Sequence, residues 1–280
     1  MASPELTSSR APRVAAARRL AKRAFRAQDR KFLAEGPQAV REALAVEAGA
    51  PGAALEVFVT AEAAARHPEL VDTATDAGLT VHRASGEVMA AIAQTVTPQG
   101  IVAVCSLLDR DLDDVLATRP RLVAVLAHVR DPGNAGTVIR SADAAGAEAV
   151  VLTDASVDVY NGKCVRATAG SLFHVPVVTG VPLARAVDAL RAAGLSVLAA
   201  DGAGESDLDA VLDAGRLAAP TAWVFGNEAW GLPPEDRAIA DDVVRVPIHG
   251  SAESLNLATA AAVCLYASAR AQRAPGGCRR

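Results

Sequence analysis

The chain has 280 residues, of which 51% are hydrophobic and 21% are charged, and its formal net charge is −4. That length predicts two domains or one large one with a sizeable core, and the charge excludes a chain that is cationic throughout. No stretch approaches the ~20 apolar residues of a membrane helix. The four cysteines form no CxxC pair and the five histidines show no ligand spacing, so we expect neither a metal site nor disulfides. A reducing cytoplasm is the expected compartment.

The N-terminal segment is basic and has no apolar stretch typical of a signal peptide. Residues 1–9 are expected to be disordered, and residues 13–26 are expected to be helical. Between residues 10 and 31 a single acid, Asp29, accompanies nine basic residues: Arg10, Arg13, Arg18, Arg19, Lys22, Arg23, Arg26, Arg30 and Lys31. Such a run can neutralise phosphates and release their counterions, and a solvated arm is the alternative interpretation.

Short strands and helices alternate in the next part of the chain, which predicts an α/β domain. The predicted strands are 31–34, 55–59, 79–82 and 101–107, and the predicted helices are 38–48, 67–77 and 85–93. The charged stretch 109–120 then predicts a linker with room for one short helix.

A second alternation of strands and helices follows. The predicted strands are 122–128, 149–153, 174–179, 195–200, 222–225 and 243–247, and the predicted helices are 135–145, 183–193 and 255–271. The first of these strands is almost continuously apolar, which is typical of a strand buried on both faces. The pattern therefore predicts a parallel sheet covered by helices.

Three loops at the carboxyl ends of these strands carry polar groups, where open α/β sheets bind their ligands. The first, residues 128–136, opens a helix that carries Arg140 about one turn in. A helix N-terminus favours an anion, and a guanidinium can bind a phosphate with two hydrogen bonds. An ordinary strand-to-helix turn with a solvated arginine is the alternative interpretation.

The second loop, residues 223–233, contains Glu228 as a hydrogen-bond acceptor and two glycines, Gly226 and Gly231, that leave room for a flat ring. The third loop, residues 246–257, leads into a helix of small residues that allow close backbone approach. An exposed Gly/Pro turn and a capped Ala-rich helix are the respective alternatives.

In this order the three loops resemble the motifs of the SpoU/TrmH family of SPOUT-class RNA 2′-O-methyltransferases. The matching residues are Asn134, Gly136 and Arg140; Gly226, Asn227, Glu228, Gly231 and Leu232; and Pro247, Ile248, Ser254, Leu255 and Asn256. Further similar segments are 32–44, 97–101 and 167–176, so that the resemblance covers residues 28–270. The second motif often reads Gly-x-Glu-Gly-x-Gly in relatives, whereas Ala229 and Trp230 stand at its inner positions here.

The resemblance implies an α/β architecture of four parts. A basic arm (1–27) precedes a ribosomal-protein-like domain that recognises RNA (28–107), a linker (108–120) and a SPOUT methyltransferase domain with a trefoil knot (121–272). It also implies a homodimer with the active site near its interface. The expected reaction is methyl transfer from S-adenosylmethionine to a ribose 2′-hydroxyl without a metal. The expected substrate is ribosomal RNA, and transfer RNA is the second choice.

The resemblance assigns catalysis to one set of residues and donor binding to another. The expected catalytic residues are Arg140, Asn134, Glu228, Ser254 and Asn256, and the expected donor-binding residues are Gly226, Asn227, Gly231, Val246, Ile248 and Leu255. The family's proposed base matches Arg140. Because a guanidinium stays charged in proteins, we expect Arg140 to hold a phosphate and stabilise alkoxide charge instead.

Three other functions stay open at this point. One is an RNA-binding protein of the same fold without catalysis, against which the intact Arg140, Glu228 and Asn256 argue. Another is methylation of a base. The third is an unrelated α/β nucleotide-binding enzyme, which is disfavoured because Gly202 and Gly204 are not followed by the third glycine of a dinucleotide fingerprint.

Overall fold

The computed structural model describes residues 5–45 and 53–273. Its first elements are α1 (Pro12–Arg19), α2 (Arg23–Asp29), β1 (Lys31–Glu35), α3 (Pro37–Leu44), β2 (Ala54–Val59), α4 (Ala61–Arg66), α5 (Pro68–Asp76), β3 (Thr80–Arg83), α6 (Gly86–Ile92) and β4 (Ile101–Ser106). The others are α7 (Leu112–Ala117), β5 (Leu122–Leu126), α8 (Pro132–Ala145), β6 (Ala149–Thr153), α9 (Gly162–Ala167), β7 (Val177–Val181), α10 (Leu183–Ala192), β8 (Ser196–Ala200), β9 (Ser206–Asp207), α11 (Leu208–Asp213), β10 (Thr221–Phe225), α12 (Pro234–Ala238), β11 (Asp242–Arg245) and α13 (Leu257–Arg273). None of the helices in these ranges is long and apolar enough to cross a membrane. Positions 46–48 of the predicted helix 38–48 lie outside the described residues.

The elements form two compact units. Among the described residues, one unit comprises those up to Leu108 together with Tyr160–Phe173, and the other comprises Asp109–Val159 and those from His174 to Arg273. The segment Tyr160–Phe173 packs in the first unit, although the sequence-based boundary of 121 places it in the methyltransferase domain. Within that unit, the ring of Phe32 contacts the rings of Tyr160 and Phe173, with centroids 4.8 and 6.0 Å apart.

The first unit is built on a four-stranded sheet in the order β1-β4-β2-β3, in which only β2 and β3 are parallel. The helix predicted over 13–26 is interrupted after Arg19, because buried Arg26 donates to the carbonyl oxygens of Leu20 and Ala21 at 2.8 and 2.9 Å. Leu6 pairs with Ala84, so the disorder expected for residues 1–9 does not extend over this position.

The second unit is built on a parallel sheet of seven strands in the order β7-β6-β5-β10-β8-β11-β9, as the sequence predicts. Strands β5, β6 and β10 are buried along their whole length. Fully buried Trp223 donates from Nε1 to Oγ of buried Ser268 at 2.8 Å, which fixes α13 to β10. Because the strands are parallel, the loops that follow β5, β10, β8 and β11 meet at one edge of the sheet.

His128 and His174 lie outside the strands that were predicted to contain them, since β5 ends at Leu126 and β7 begins at Val177. His128 adopts a φ of 59°, a left-handed conformation that a strand cannot contain. Cys105, Cys164 and Cys264 are buried, as small core residues should be, and burial raises the pKa of the Cys264 thiol to about 12. Cys278 lies outside the described residues.

Candidate active site

Three polar side chains, one from each of the three loops, are joined by hydrogen bonds in the second unit. Asn256 Nδ2 donates to Asn134 Oδ1 at 3.1 Å, and Asn134 Nδ2 donates to Glu228 Oε1 at 3.3 Å. Asn256 also begins α13, because its Oδ1 accepts from the backbone N–H of Ala258 at 2.9 Å. The three loops, which are far apart in the sequence, therefore contribute to one connected group of side chains.

The N–H groups at the start of α8 are bound by carboxylates of the protein itself. Asp131 caps the helix by accepting from Asn134 N at 2.8 Å, and Glu228 accepts from Arg130 N and Asp131 N at 3.4 and 3.2 Å. The expectation that this helix end attracts an RNA phosphate needs correction, because two acids already occupy it and their charge repels a further anion. The same contacts explain how Glu228 holds the first loop in place.

Arg140 lies farther along α8 than the one turn expected from the sequence. The helix begins at Pro132, so Arg140 is its ninth residue and lies more than two turns from its start. Its side chain is exposed on the helix face that also carries Thr137 and Ala144. In the part of the chain that the structure describes, Arg140 makes no hydrogen bond or ion pair, so its five donors are available to a ligand.

The second loop is a tight turn between Asn227 and Gly231, whose backbone groups exchange hydrogen bonds of 2.8 and 2.9 Å. A Cβ atom on Gly226 would lie 2.5 Å from the backbone of Gly231, and one on Gly231 would lie 2.6 Å from Oδ2 of Asp201. Gly231 also has a φ of 68°. The two glycines therefore permit close contacts inside the protein, and the room for a flat ring that the sequence suggested is not found at Gly226.

We expect Gly226→Ala to lower the free energy of unfolding by about 1–3 kcal/mol, because the added methyl group overlaps the Gly231 carbonyl and the turn must move. Urea denaturation of both proteins measures the difference. Gly250→Ala is the matched control, since a Cβ there meets nothing within 4 Å. Equal stability of Gly226→Ala and the unsubstituted protein would contradict this account of the turn.

The third loop presents donors, acceptors and apolar side chains to the outside. No hydrogen bond joins residues 246–255 to any other described residue. Val246 is partly buried, while Ile248 and Leu255 are 38% and 37% exposed. Ser254 is exposed and does not join the group formed by Asn134, Glu228 and Asn256.

Asp201, at the carboxyl end of β8, is a site residue that was not predicted from the sequence. Its Oδ2 accepts from Leu232 N at 3.1 Å, and its Oδ1 lies 3.4 Å from Nη1 of Arg237. Asp201 thus fixes the far end of the turn that carries Glu228. The signal was an acid directly after a buried strand, but its neighbours Gly202 and Gly204 favoured an ordinary loop.

No group of three or more His, Cys, Asp or Glu side chains able to hold a metal ion occurs within residues 5–45 and 53–273.

Residues 121–266 match the family model described as the SpoU rRNA Methylase family. The chain belongs to this family. Residues 11–103 match the model of an MRM3-like substrate binding domain, so the SpoU methylase region follows a separate binding region along the chain.

Two curated relatives of this SpoU family member are named as methyltransferases of 23S rRNA. The 23S rRNA (guanosine(2553)-2′-O)-methyltransferase of Bacillus subtilis is 38% identical over 86% of this chain and 89% of its own length. The 23S rRNA (uridine(2479)-2′-O)-methyltransferase of Streptomyces viridochromogenes is 38% identical over 64% of this chain and 62% of its own length.

A solved structure of a SpoU-like enzyme agrees with the fold of the chain. The AdoMet-bound rRNA methyltransferase from Sinorhizobium meliloti superposes with a TM-score of 0.80 at 31% identity, covering 95% of this chain and 97% of that one. The fold class expected from the sequence, a parallel-sheet methyltransferase domain preceded by a small α/β domain, is confirmed.

Proposed function

We propose that this protein transfers a methyl group from S-adenosylmethionine to a ribose 2′-hydroxyl of ribosomal RNA. The observation that carries the proposal is the connection of Asn134, Glu228 and Asn256, one residue from each family motif, at the carboxyl edge of the parallel sheet. The relatives named above act on 23S rRNA, which favours ribosomal over transfer RNA. One relative is named for a guanosine and the other for a uridine, so relatives of similar identity to this chain differ in the nucleotide that they methylate.

The third loop fits the methyl donor in chemical terms. Its backbone groups at residues 246–255 are not used by described parts of the protein, and Ile248 and Leu255 offer apolar surface. An adenosine and a methionine chain need that combination of backbone hydrogen bonds and apolar contacts. We assign donor binding to Val246, Ile248 and Leu255, with Gly226, Asn227 and Gly231 shaping the neighbouring turn. The donor supplies a methyl group already activated on a sulfonium.

The remaining task of the protein is to position the ribose oxygen and to stabilise its charge as the proton leaves. Asn134, held between Glu228 and Asn256, presents its amide in a fixed orientation. Arg140 supplies the positive charge, either to the attacking oxygen or to the adjacent phosphate. Ser254 lies in the same exposed loop, and we assign it to contacts with substrate or donor.

The first unit is proposed to bind RNA through its exposed basic residues. Burial and ion pairing in the structure reduce the number of basic residues between positions 10 and 31 that are available for this. Arg26 is buried and Arg19 is paired with Asp29, whereas Arg18, Lys22 and Arg23 are exposed. Replacing these three with alanine should reduce the slope of log K against log salt by about two to three units, since each phosphate contact contributes ~0.7–0.9. Filter binding of 23S rRNA at several salt concentrations measures the slope.

The control for this set is Arg185→Ala, which removes an exposed arginine from α10 in the other unit. An unchanged salt slope in the triple variant would place the RNA contacts elsewhere. An equal reduction of the salt slope in the triple variant and in Arg185→Ala would indicate a general effect of charge.

The proposal includes a homodimer, in accordance with the family resemblance. Val263 and Tyr266 on α13 are 40% and 53% exposed, and they lie on one helix face with Thr259 and Arg270. These two exposed apolar side chains are suited to contact with a second copy of the chain. The trefoil knot, the cytoplasmic location and the domain boundaries 1–27, 28–107, 108–120 and 121–272 belong to the same proposal, except that Tyr160–Phe173 packs in the first unit.

The deciding experiment incubates the protein with methyl-labelled S-adenosylmethionine and unmodified 23S rRNA, and then identifies the labelled nucleoside by mass spectrometry. We expect a single 2′-O-methylnucleoside and no need for added metal. Label on a base would show that the acceptor is a base and not the ribose 2′-hydroxyl. Label in transfer RNA alone would show that the substrate is transfer RNA and not ribosomal RNA. RNA binding without any transfer would indicate a non-catalytic member of the family.

A further inference from the structure

Trp230 is an exposed aromatic residue within the tight turn of the second loop. The residue is 50% exposed, in contrast to Trp223, which is completely buried. The turn cannot easily rearrange, because Asn227 and Gly231 exchange two backbone hydrogen bonds and Asn227 Oδ1 accepts from Ala229 N at 2.9 Å. Trp230 is therefore presented to solvent by a rigid backbone.

The indole is also supported from one side by His128. The two ring centroids are 5.4 Å apart with an interplanar angle of 51°. Nε2 of His128 lies 2.6 Å from Oδ2 of Asp236, and the His128 carbonyl accepts from Asn227 Nδ2 at 2.9 Å. These contacts fix the ring before any ligand binds, so the Trp230 side chain loses less conformational entropy on binding.

The position of this ring relative to the site indicates its ligand. Glu228, two residues before Trp230 in the same turn, holds the Asn134 amide that we assign to the ribose. The bases attached to that ribose and to its neighbours must lie within one or two nucleotide lengths. Proteins that recognise unpaired RNA bases commonly stack them on exposed aromatic rings.

We propose that Trp230 stacks on a base of the RNA at or next to the methylated nucleotide and thereby contributes to the choice of substrate. The proposal rests on the function proposed above. In the family pattern Gly-x-Glu-Gly-x-Gly, Trp230 occupies the second variable position, so this contact can differ between relatives that share the same chemistry. His128 and Asp236 are positioning residues, since they act through the ring.

The test uses the full chain and the variants Trp230→Leu and Trp230→Phe. Loss of a base–aromatic stack should weaken binding of an unmodified 23S rRNA transcript by about 5- to 150-fold in Trp230→Leu. Trp230→Phe, which keeps a ring, should recover part of that loss. The affinity for S-adenosylmethionine should stay within about twofold in both variants. Unchanged RNA affinity in Trp230→Leu would overturn the proposal.

Tryptophan fluorescence distinguishes whether an RNA base, the methyl donor or a second copy of the chain contacts the Trp230 ring. The chain contains two tryptophans, and buried Trp223 is shielded, so quenching by acrylamide reports on Trp230. We expect the RNA transcript to protect Trp230 and the donor alone to leave it accessible. Protection by the donor alone would instead assign the ring to adenine. Protection that increases with protein concentration, together with dissociation of Trp230→Leu in sedimentation, would assign it to a second copy of the chain.

Failure of this proposal can be distinguished from failure of the proposed function. Methyl transfer by the unsubstituted protein tests the function, and it does not depend on the Trp230 variants. If the unsubstituted protein transfers methyl groups and Trp230→Leu binds RNA with unchanged affinity, the proposed function stands and the stacking contact is contradicted.

Discussion

Arg140→Ala should lower the rate of a single methyl-transfer turnover by about 10²–10³, with the affinity for S-adenosylmethionine nearly unchanged. The reason is that Arg140 is exposed and makes no contact that supports the fold of the described residues, so its charge is available only to a ligand. Losing a contact made chiefly in the transition state affects the rate more than it affects ground-state binding. Rapid-quench measurement with saturating donor and RNA gives this rate directly.

Arg140→Lys separates charge from geometry. Lysine keeps the charge but loses the planar fork of donors, so we expect it to remain slow if Arg140 binds a phosphate with two hydrogen bonds. Arg185→Ala on α10 is the control, because it also removes an exposed arginine from the second unit. A rate for Arg140→Ala within about threefold of the unsubstituted protein would remove Arg140 from the mechanism.

Asn134→Ala and Glu228→Ala should each slow the same turnover by about 10², and combining them should cause little further loss. The two side chains are bonded at 3.3 Å, and Glu228 also binds the N–H groups of Arg130 and Asp131. Removing either one lets the first loop shift, and a displacement of about 1 Å at a reacting group can cost ~10² in rate. Residues that act as one unit show such non-additive effects.

The double-mutant cycle requires four rate constants, measured at saturating donor and RNA, and a stability measurement on each protein. Glu235→Ala, which removes an exposed carboxylate on α12, is the matched control and should react at the normal rate. If the losses from Asn134→Ala and Glu228→Ala multiply in the double variant, the two residues act independently and the connected group has no functional meaning.

The sequence was sufficient to predict the parallel sheet and the three loops, because these depend on local patterns. The fully buried strand β5 appears as an apolar run, and the loops stand out by their glycines and polar residues. The start of α8 is also predictable from the sequence, since Asp131 and Pro132 are a typical N-cap and first residue. That start would have placed Arg140 more than two turns into the helix.

Other features of the site depend on contacts between distant parts of the chain. Glu228 occupies the start of α8 only because β10 lies beside β5 in the sheet. Asp201 reaches the turn at Leu232 because β8 is the other neighbour of β10. Likewise, Arg26 resembles the other basic residues in sequence, and only the packing of α2 shows that it is buried. No local pattern contains this information.

The central place of β10 also determines when the second sheet can form during synthesis. Strand β10 joins β5 to β8, yet four further strands, β6 to β9, leave the ribosome after β5 and before β10. Until β10 arrives, β5 has one open edge and β8 has no partner, since its other neighbour, β11, comes later still. Long-range parallel pairing of this kind folds slowly and leaves strand edges open to aggregation. Nascent chains that stop short of β10 should therefore depend most on chaperones.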